Sequence, residues 1–356
     1  MNERHLPKAR SGPKATIRDV ATRAGVAPAT VSNVLTGLRA VSEKRRQRVL
    51  AAVDALSYQA NHAAASLRRR QTRTIGIVVP NLTNEFFAAL VGHFEQLAAE
   101  TDYQILLTTT GDDPGKEPSR VRALLARQID GMIVDPLQDD FAAAANLASE
   151  LPPTVLVDRG FGHPNFDTVA ADNFDAGYLG AQHLLQFGHR DLALLISGTG
   201  QAHIRDRVAG YRKAMVEAGL GARENVVIGG HTIEGCRGAI EQEMRRADRP
   251  TAIFAGTYFA TLGAVKAIRA LDLAFPEEIS LLGFEHSEWM TVLRPYVSTV
   301  GQPFGQMASA AWRLLLRRIA GNADELARVR LPCQLRMRES VKSPRDIDVN
   351  ARRRTV

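Results

Sequence analysis

The sequence predicts a small all-α helix-turn-helix head followed by an α/β domain of two lobes, each built on a parallel, doubly wound sheet. In the first 60 residues, apolar side chains recur at helical spacing between short turns. From residue 74 onward, short β-rich apolar runs alternate with amphipathic stretches of helix length, which is the pattern of parallel sheets with flanking helices. At 356 residues the chain also exceeds what one hydrophobic core usually organises, so at least two compact units are expected.

The composition excludes a membrane protein. Hydrophobic residues make up 45% of the chain and charged residues 23%, and no apolar run approaches the roughly 20 residues that span a bilayer. Residues 1–14 are basic and polar and lack the apolar core of a secretory signal, so a cytoplasmic location is expected. Cys236 and Cys333 are too few and too far apart for a metal cluster or a disulfide framework. They are interpreted as packing residues, and no metal or cofactor is expected.

Positive charge is concentrated at the amino-terminal end. Residues 1–73 hold 15 of the 45 Lys and Arg residues but 4 of the 38 Asp and Glu residues, which leaves 30 basic and 34 acidic residues for the rest of the chain. Such a segment is suited to a polyanion such as nucleic acid, because binding releases the counterions condensed on it. A charge run by itself is more often a solvated surface, so the interpretation depends on the helical pattern of the same segment.

Three short helices are predicted between residues 15 and 60. Thr16 and Asp19 resemble a capping box at the start of the first helix, and Gly25 ends that helix by permitting a positive φ. Pro28 stands at the first position of the second helix after only a few residues. Two short helices joined by so tight a turn form a helix-turn-helix. Ser42 is predicted to cap the third helix.

The second predicted helix has an apolar inner face and a small, polar outer face. The residues predicted to form a miniature core with the third helix are Val31, Val34, Leu35, Val49, Val53 and Leu56. The outward residues of the second helix are Pro28, Ala29, Ser32, Asn33 and Thr36. An exposed helix of this kind beside concentrated positive charge favours entry into a DNA groove. Apolar periodicity alone would equally allow a three-helix bundle that binds no DNA.

Residues 61–73 are predicted to be a hinge that is too short and too polar to form a stable helix alone. On DNA they are expected to fold as a short helix whose Leu67 wedges between base pairs in the minor groove while Arg68 and its neighbours meet phosphates. A solvated linker with a chance leucine fits the composition equally well. The candidate DNA-binding residues of head and hinge together are Thr16, Ile17, Pro28, Ala29, Ser32, Asn33, Thr36, Asn61, Ala64, Leu67 and Arg68.

Polar and aromatic residues follow several predicted strands of the α/β domain. Ligands of such sheets bind outside the carboxyl ends of the strands, here in the cleft between the two lobes. The candidate effector-binding residues are Asn81, Phe86, Phe87, Asp158, Asp172, Arg207, His231, Tyr258 and Glu285, with Asn84, Arg159, Asn173 and Trp289 as further candidates. Aromatic faces combined with paired donors and acceptors suit a sugar-like molecule. For any single residue, a helix cap or a surface charge is an equally good interpretation.

Two partial enzyme motifs fail on closer inspection. Gly198–Gly200 follows a predicted strand as a dinucleotide-binding fingerprint would, but His203 occupies the place of the third glycine. Gly111–Lys116 is one residue short of a phosphate-binding loop, and Glu117 follows it where Ser or Thr should serve magnesium. The sequence therefore does not favour an enzyme.

The chain resembles the lactose-repressor (LacI/GalR) family of bacterial transcription regulators over nearly its whole length, roughly residues 15–340. The resemblance is carried by several separate motifs in the order expected of the family. These motifs are TIRDVATRAGVAPATVSNVL in the head, NHAAASL in the hinge, IGIVVPNLTNEFF from Ile75, ADNFDAG from Ala171, FGHRD from Phe187 and RVAGYRKAM from Arg207.

The resemblance implies a repressor that binds a near-palindromic DNA operator as a homodimer and is controlled by a small polar effector. It further implies that Phe87, Asp172, Arg207 and Glu285 hold the effector in a two-lobed domain like that of periplasmic binding proteins. A sugar receptor of periplasmic type and a cytoplasmic enzyme on the same sheet are the alternatives. Because no leucine heptads follow Ser340, a dimer is expected and no coiled-coil tetramer.

The sequence departs from the family pattern at three sites. Ala27 stands where the family usually has Ser, Glu285 where it commonly has Asp, and Thr257-Tyr258 where an Asn-Asp or Gly-Asp pair is common.

The predicted boundaries are a flexible basic tail over 1–14, the head over 15–60, the hinge over 61–73, an effector-binding and dimerisation domain over 74–340 and a flexible basic tail over 341–356. Within that domain, the first lobe is expected at about 74–171 and 304–330 and the second at about 172–303.

Overall fold

The computed structural model describes residues 15–36, 39–58, 71–138, 141, 151–292 and 294–344. Its contacts divide the chain into two compact units, Met1–Thr72 and Arg73–Val356. We call the described part of the first unit the head and that of the second unit the sensor. In the part of the chain so described, no helix is both long enough and apolar enough to cross a membrane.

The head consists of three helices, α1 (Ile17–Ala24), α2 (Pro28–Thr36) and α3 (Glu43–Ala55). α1 begins with a complete capping box, in which the Thr16 backbone N–H donates to Asp19 Oδ2 at 2.8 Å and the Asp19 backbone N–H donates to Thr16 Oγ1 at 3.4 Å. Gly25 ends α1 at φ 61°, a left-handed conformation that glycine adopts without strain from a Cβ. The turn to α2 is therefore short, as the sequence predicts.

A small apolar core joins the three helices of the head. Its buried residues are Val20, Ala21, Ala24, Val31, Val49 and Ala52, with Val34, Val53 and Leu56 packed against them. Two details differ from the sequence-based prediction. Leu35, predicted to point inward, is 36% exposed, because one turn of α2 has room for only part of its apolar residues against so small a core. Ser42 precedes α3 but its side chain makes no capping hydrogen bond.

The first lobe of the sensor is built on a six-stranded sheet in the order β11-β5-β4-β3-β1-β2, in which all pairs are parallel. Its strands are β1 (Thr74–Val79), β2 (Gln104–Thr109), β3 (Gly131–Val134), β4 (Thr154–Val157), β5 (Asp167–Ala171) and β11 (Arg328–Leu331). The helices that pack on it are α4 (Glu85–Glu100), α5 (Glu117–Leu125) and α10 (Phe304–Ile319). β1, β3, β4 and β5 are almost wholly buried, which explains their continuous apolar runs.

The second lobe repeats this architecture with strand order β12-β10-β9-β8-β6-β7, where β12 alone pairs antiparallel. Its strands are β6 (Leu192–Ile196), β7 (Val226–Ile228), β8 (Ala252–Ala255), β9 (Ser280–Phe284), β10 (Ser298–Gly301) and β12 (Gln334–Arg336). Its helices are α6 (Asn173–Gln186), α7 (Ala202–Glu217), α8 (Ile233–Met244) and α9 (Tyr258–Ala270). Short 3-10 helices occur at Pro114–Lys116, Gly221–Arg223 and Glu288–Thr291.

Three connections join the lobes in the described part of the sensor: from β5 to α6, from β10 to α10, and from β11 to β12. The last connection corrects the predicted extent of the second lobe, because residues 334–336 return to its sheet after β11 has completed the first one. Short strands of this kind carry too few residues for their pattern to show which sheet they join.

Both ends of the sensor differ slightly from the predicted boundaries. Arg73, assigned to the hinge, belongs to the sensor, where its backbone N–H donates to Asp130 Oδ2 at 2.8 Å. Residues 341–344, assigned to a flexible tail, are placed against the second lobe. Val341 is buried there, and the Lys342 backbone N–H donates to Ser280 Oγ at 3.0 Å. The hydrogen bond to Ser280 and the burial of Val341 give residues 341–344 a fixed position.

Candidate functional site

The carboxyl ends of strands from both sheets meet at the cleft between the lobes, where side chains enclose a cavity of about 80 Å³ that we call the inner chamber. Eight of the nine candidate effector-binding residues line it. They are Asn81, Phe86, Phe87, Asp158, Arg207, His231, Tyr258 and Glu285. Sequence positions from 81 to 285 thus come together at one site, because parallel strands present their carboxyl ends on the same side of a sheet.

Two carboxylates occupy equivalent places in the two lobes. Asp158 follows β4 and Glu285 follows β9, which are the third strands of their sheets. Each backbone N–H donates across to the neighbouring strand at 2.8 Å, and each residue has a left-handed backbone, with φ 64° and 72°. A non-glycine residue costs roughly 1–2 kcal/mol in this conformation, and such strain concentrates at functional sites. Both side chains are buried at the chamber.

Arg207 is the principal cation of the inner chamber. It projects from α7, is 2% exposed, and donates to the Gly256 carbonyl and to Asn173 Oδ1. Its guanidinium lies 3.6 Å from the ring centroid of Phe284, a cation–π contact that holds its plane. Burial lowers the pKa of Arg207, and the carboxylates of Glu285 and Asp158 act in the opposite direction. Its Nε has no hydrogen-bond partner among the described residues.

Glu285 is held by a residue that the sequence analysis missed. The Gln302 side-chain amide donates to Glu285 Oε1 at 2.8 Å, and the Gln302 backbone N–H lies 3.4 Å from Oε2. Burial raises the pKa of Glu285 to about 7, although these hydrogen bonds and Arg207 favour the charged form. The carboxyl group therefore exchanges its proton near neutral pH.

Glu285→Gln should become more stable than the wild type as pH rises. The folded protein holds a proton up to about pH 7 that the unfolded chain releases near 4.5, so wild-type stability declines through this window. Glutamine cannot ionise, and the variant should match the wild type near pH 4 and exceed it by about 3 kcal/mol above pH 8. Urea unfolding across this range measures the difference. The exposed Glu288→Gln is the matched control, and parallel curves for Glu285→Gln and the wild type would contradict the assignment.

Arg159, which lines the inner chamber, forms an ion pair with Asp135, which does not line it. Arg159 Nε is 3.5 Å from Asp135 Oδ1, and the Asp135 side chain is fully buried. Burial raises the pKa of Asp135 well above its usual range, opposed by the Arg159 charge. Both Asp135 oxygens and Arg159 Nη1 have no hydrogen-bond partner among the described residues. Unsatisfied polar groups beside a cavity leave hydrogen-bonding capacity for a ligand or its water.

Aromatic rings form one wall of the inner chamber. Phe86 and Phe87 meet edge to face at 5.2 Å, and Arg159 lies 5.8 Å from the Phe87 ring centroid. Asn84 begins α4 by accepting a hydrogen bond from the Phe86 backbone N–H at 3.1 Å, which fixes both rings relative to the cleft. Tyr258, at the start of α9, stacks edge to face on Phe259 at 5.6 Å.

Asp172 and Trp289 do not line the chamber, in contrast to the expectation from sequence. Asp172 is the N-cap of α6, and its Oδ1 accepts from the Asp175 backbone N–H at 3.0 Å. α6 begins directly after β5, so the first side chain past the strand serves the helix end. Trp289 packs against an apolar cluster of the second lobe. Asn173, which follows Asp172, contacts the principal cation instead, since its Oδ1 accepts a hydrogen bond from Arg207.

Several lining residues were missed by the sequence analysis, chiefly Ser197, Gln201, His203 and Gln302. Ser197 directly follows β6 and Gln302 directly follows β10. Both would have been found by the rule that ligands contact the residues just past the carboxyl ends of the strands, which we call the strand-end rule. His203 precedes Arg207 by one helical turn on α7 and shares its face. Burial lowers the pKa of His203 well below its usual value, with nearby Arg159 and Arg207 adding to the effect.

The cleft continues into a much larger cavity of about 1090 Å³, which we call the outer chamber. Asp158, Arg159, Gln201 and His203 line both chambers, so the two chambers adjoin at these side chains. The outer chamber is bounded mainly by the loop of residues 159–165 after β4 and by the start of α7.

The candidate DNA-binding residues of the head lie at the start of α1 and along α2. Thr16, Pro28 and Ala29 are exposed, while Ile17 is partly buried against the head core. Ser32 and Asn33 are half-buried, and α2 ends at Thr36. The candidates Asn61, Ala64, Leu67 and Arg68 lie outside the described residues.

Comparison with known proteins agrees with both units. Residues 16–61 match the family model of bacterial regulatory proteins, lacI family, and residues 181–341 match the periplasmic binding protein-like domain. The ribose operon repressor of Haemophilus influenzae is 31% identical over 92% of this chain and 99% of its own length, and catabolite control protein A of Priestia megaterium is 30% identical with the same coverage. A crystal structure of the lac repressor dimer bound to operator and the anti-inducer ONPF superposes with a TM-score of 0.82 at 26% identity, over 92% of this chain and 99% of that one.

Fold and cleft together define a two-lobed, periplasmic-binding-protein-like domain joined to a helix-turn-helix head. The chain belongs to the lacI family of bacterial regulatory proteins. It is a DNA-binding transcriptional repressor of that family and no enzyme, as its relatives are regulators. The family resemblance and the predicted fold class are thereby confirmed.

Proposed function

We propose that this repressor binds a near-palindromic double-stranded operator as a homodimer and is controlled by a sugar or sugar derivative bound in the inner chamber. The observation that carries the effector assignment is the pair of buried carboxylates, Asp158 and Glu285, placed on opposite lobes with Arg207 nearby. Sugar hydroxyl groups both donate to carboxylates and accept from guanidinium groups, so this set pairs with several hydroxyls at once.

The aromatic wall supports the same ligand class. Phe86 and Phe87 offer apolar ring surface beside the charged groups, and the C–H face of a sugar ring packs on such surfaces. Unsatisfied atoms at Arg207 and Asp158 leave polar capacity that a bound ligand would meet. The ribose operon repressor among the relatives supports a sugar as the effector by its name.

The homodimer and the operator are proposals that rest on the family and on charge. The similar lac repressor structure is a dimer bound to operator, and residues 1–73 carry the surplus of positive charge. In a dimer, each head would occupy one half-site, so the operator would mirror the two-fold symmetry of the protein. A repressor acts on the chromosome, and we accordingly expect it in the cytoplasm, associated with the nucleoid when bound.

Control would arise from different affinities of the effector for two arrangements of the lobes. Since the ligand contacts both lobes, it favours the arrangement in which Asp158 and Glu285 reach it together. If that arrangement separates the two heads from their half-sites the sugar is an inducer, and if it positions them the sugar is a corepressor.

A mobility-shift experiment tests the proposal directly. The full chain is incubated with duplex DNA from upstream of its own gene and neighbouring genes, against an excess of random duplex, with and without ribose. We expect a specific complex with the stoichiometry of two chains per duplex, and a change in its amount on adding a sugar. Absence of any specific complex at low salt would refute operator binding, and one chain per duplex would refute the dimer.

A further inference from the structure

The inner and outer chambers differ in size by more than tenfold, at about 80 and 1090 Å³. Each water needs roughly 10–15 Å³ of cavity space, so the inner chamber of about 80 Å³ holds on the order of six waters. In liquid water each molecule occupies roughly 30 Å³, and on that scale one sugar ring with its hydroxyl groups takes the place of about the same number of waters. The inner chamber therefore accommodates one sugar unit and leaves the outer chamber unfilled.

The side chains shared by the two chambers can contact a ligand from both lobes. Asp158 and Arg159 border it from the first lobe, and Gln201 and His203 from the second. These side chains offer carboxylate, guanidinium, amide and imidazole groups, which suit hydroxyl groups or the bridging oxygen of a linked ligand. A ligand that reaches from the inner chamber into the outer one would meet polar side chains at the boundary.

The loop of residues 159–165 gives the outer chamber a defined wall. The His163 backbone N–H donates to the Gly160 carbonyl at 3.1 Å, and the Gly162 N–H lies 3.3 Å from Thr168 Oγ1. Gly160 and Gly162 have positive φ values of 69° and 81°, which this tight path requires. The wall is thus shaped by local hydrogen bonds and does not depend on a ligand for its form.

The chemistry of that wall is that of a second sugar site. Phe161 offers an aromatic ring, with the Arg330 guanidinium 4.5 Å from its centroid. Asn165, Gln138 and Asp206 add amide and carboxylate groups around the same space. An aromatic face bordered by hydrogen-bonding side chains suits a polar ring and is poorly suited to a purely apolar group.

We propose that the effector has two linked units, one sugar ring in the inner chamber and a second polar ring, as in a disaccharide, in the outer chamber. This inference rests on the proposed function, because it assumes that the inner chamber binds a sugar. The side chains shared by the two chambers and the size of the outer chamber carry it.

Calorimetric titration of the full chain with matched sugars tests the second site. The probes are glucose against cellobiose and maltose, and galactose against lactose, each at up to about 10 mM to detect millimolar affinities. We expect at least one disaccharide to bind tenfold or more tightly than its own monosaccharide. Phe161→Ala should weaken that disaccharide about fivefold to tenfold and its monosaccharide less than twofold.

Asn165→Ala, an exposed site on the same loop, provides a second variant with less risk to folding, and Phe187→Ala is the aromatic control away from both chambers. A monosaccharide that binds as tightly as every disaccharide containing it, or equal losses for both in Phe161→Ala and Asn165→Ala, overturns the second site while leaving the sugar effector in place. Absence of binding by all five sugars overturns the two-ring effector, and the response to ribose in the mobility-shift experiment then decides the sugar effector separately.

Discussion

Arg207→Ala should abolish sugar binding and with it the response of the operator complex to sugar, while the variant still binds DNA. The guanidinium is the only described cation that contacts both Asn173 and the Gly256 carbonyl, and it lies against Phe284 at 3.6 Å. Its removal takes away a positive charge that favours the ionised forms of Glu285 and Asp158. A loss of at least about 100-fold in affinity is expected, since charged hydrogen bonds at buried sites each contribute about 1.5–3 kcal/mol.

The same change should lower the stability of the sensor by about 2–4 kcal/mol, because Asn173 Oδ1 and the Gly256 carbonyl are left buried without their donor, at about 1–3 kcal/mol for each unsatisfied group. Calorimetric titration with the tightest-binding sugar and urea unfolding measure the two effects. Arg207→Lys keeps the charge but not the forked donors, so it should bind weakly and recover part of the stability. Arg212→Ala is the matched control, because Arg212 lies on α7 like Arg207 but forms an exposed ion pair with Glu224. It should change neither the free energy of sugar binding nor that of unfolding by more than about 1 kcal/mol. A normal sugar titration by Arg207→Ala would remove Arg207 from the site.

Gly177→Ala should destabilise the sensor strongly, by about 3 kcal/mol or more. A Cβ at Gly177 would lie 1.9 Å from the Arg207 carbonyl oxygen, and one at Gly210 would lie 1.9 Å from the Phe174 oxygen. Both obstacles are backbone atoms, so α6 and α7 would have to move apart. Since α7 carries Arg207, sugar affinity should fall together with stability.

Gly238→Ala is the control for this steric argument. Gly238 lies in α8 of the same lobe, and nothing lies within 4 Å of a Cβ added there. Alanine should therefore stabilise the protein by about 0.5–1 kcal/mol through helix propensity. Opposite signs for the two glycines in urea unfolding are the expected result. Equal, small effects would show that α6 and α7 adjust without cost.

The strand-end rule accounts for the success and the limits of predicting the cleft. It located Asp158 and Glu285, because the first residue past a buried parallel strand opens onto the cleft. It misplaced Asp172, because α6 begins at the next residue and the side chain caps that helix. Gln201 and His203 lie at the start of α7, and their approach depends on how the second lobe meets the first.

The sequence by itself determined the head, the two parallel sheets and the family. These predictions rest on local signals such as the capping box at Thr16, the glycine at position 25 and the alternation of apolar runs with amphipathic segments. Each signal is carried by residues that lie close together in the sequence. Only the tertiary structure decided which lobe receives residues 334–336, that Leu35 is partly exposed, and that a small chamber adjoins a large one. Such features depend on contacts between elements that are not neighbours along the chain, and the distances between these elements follow from packing and leave no periodic trace in the sequence.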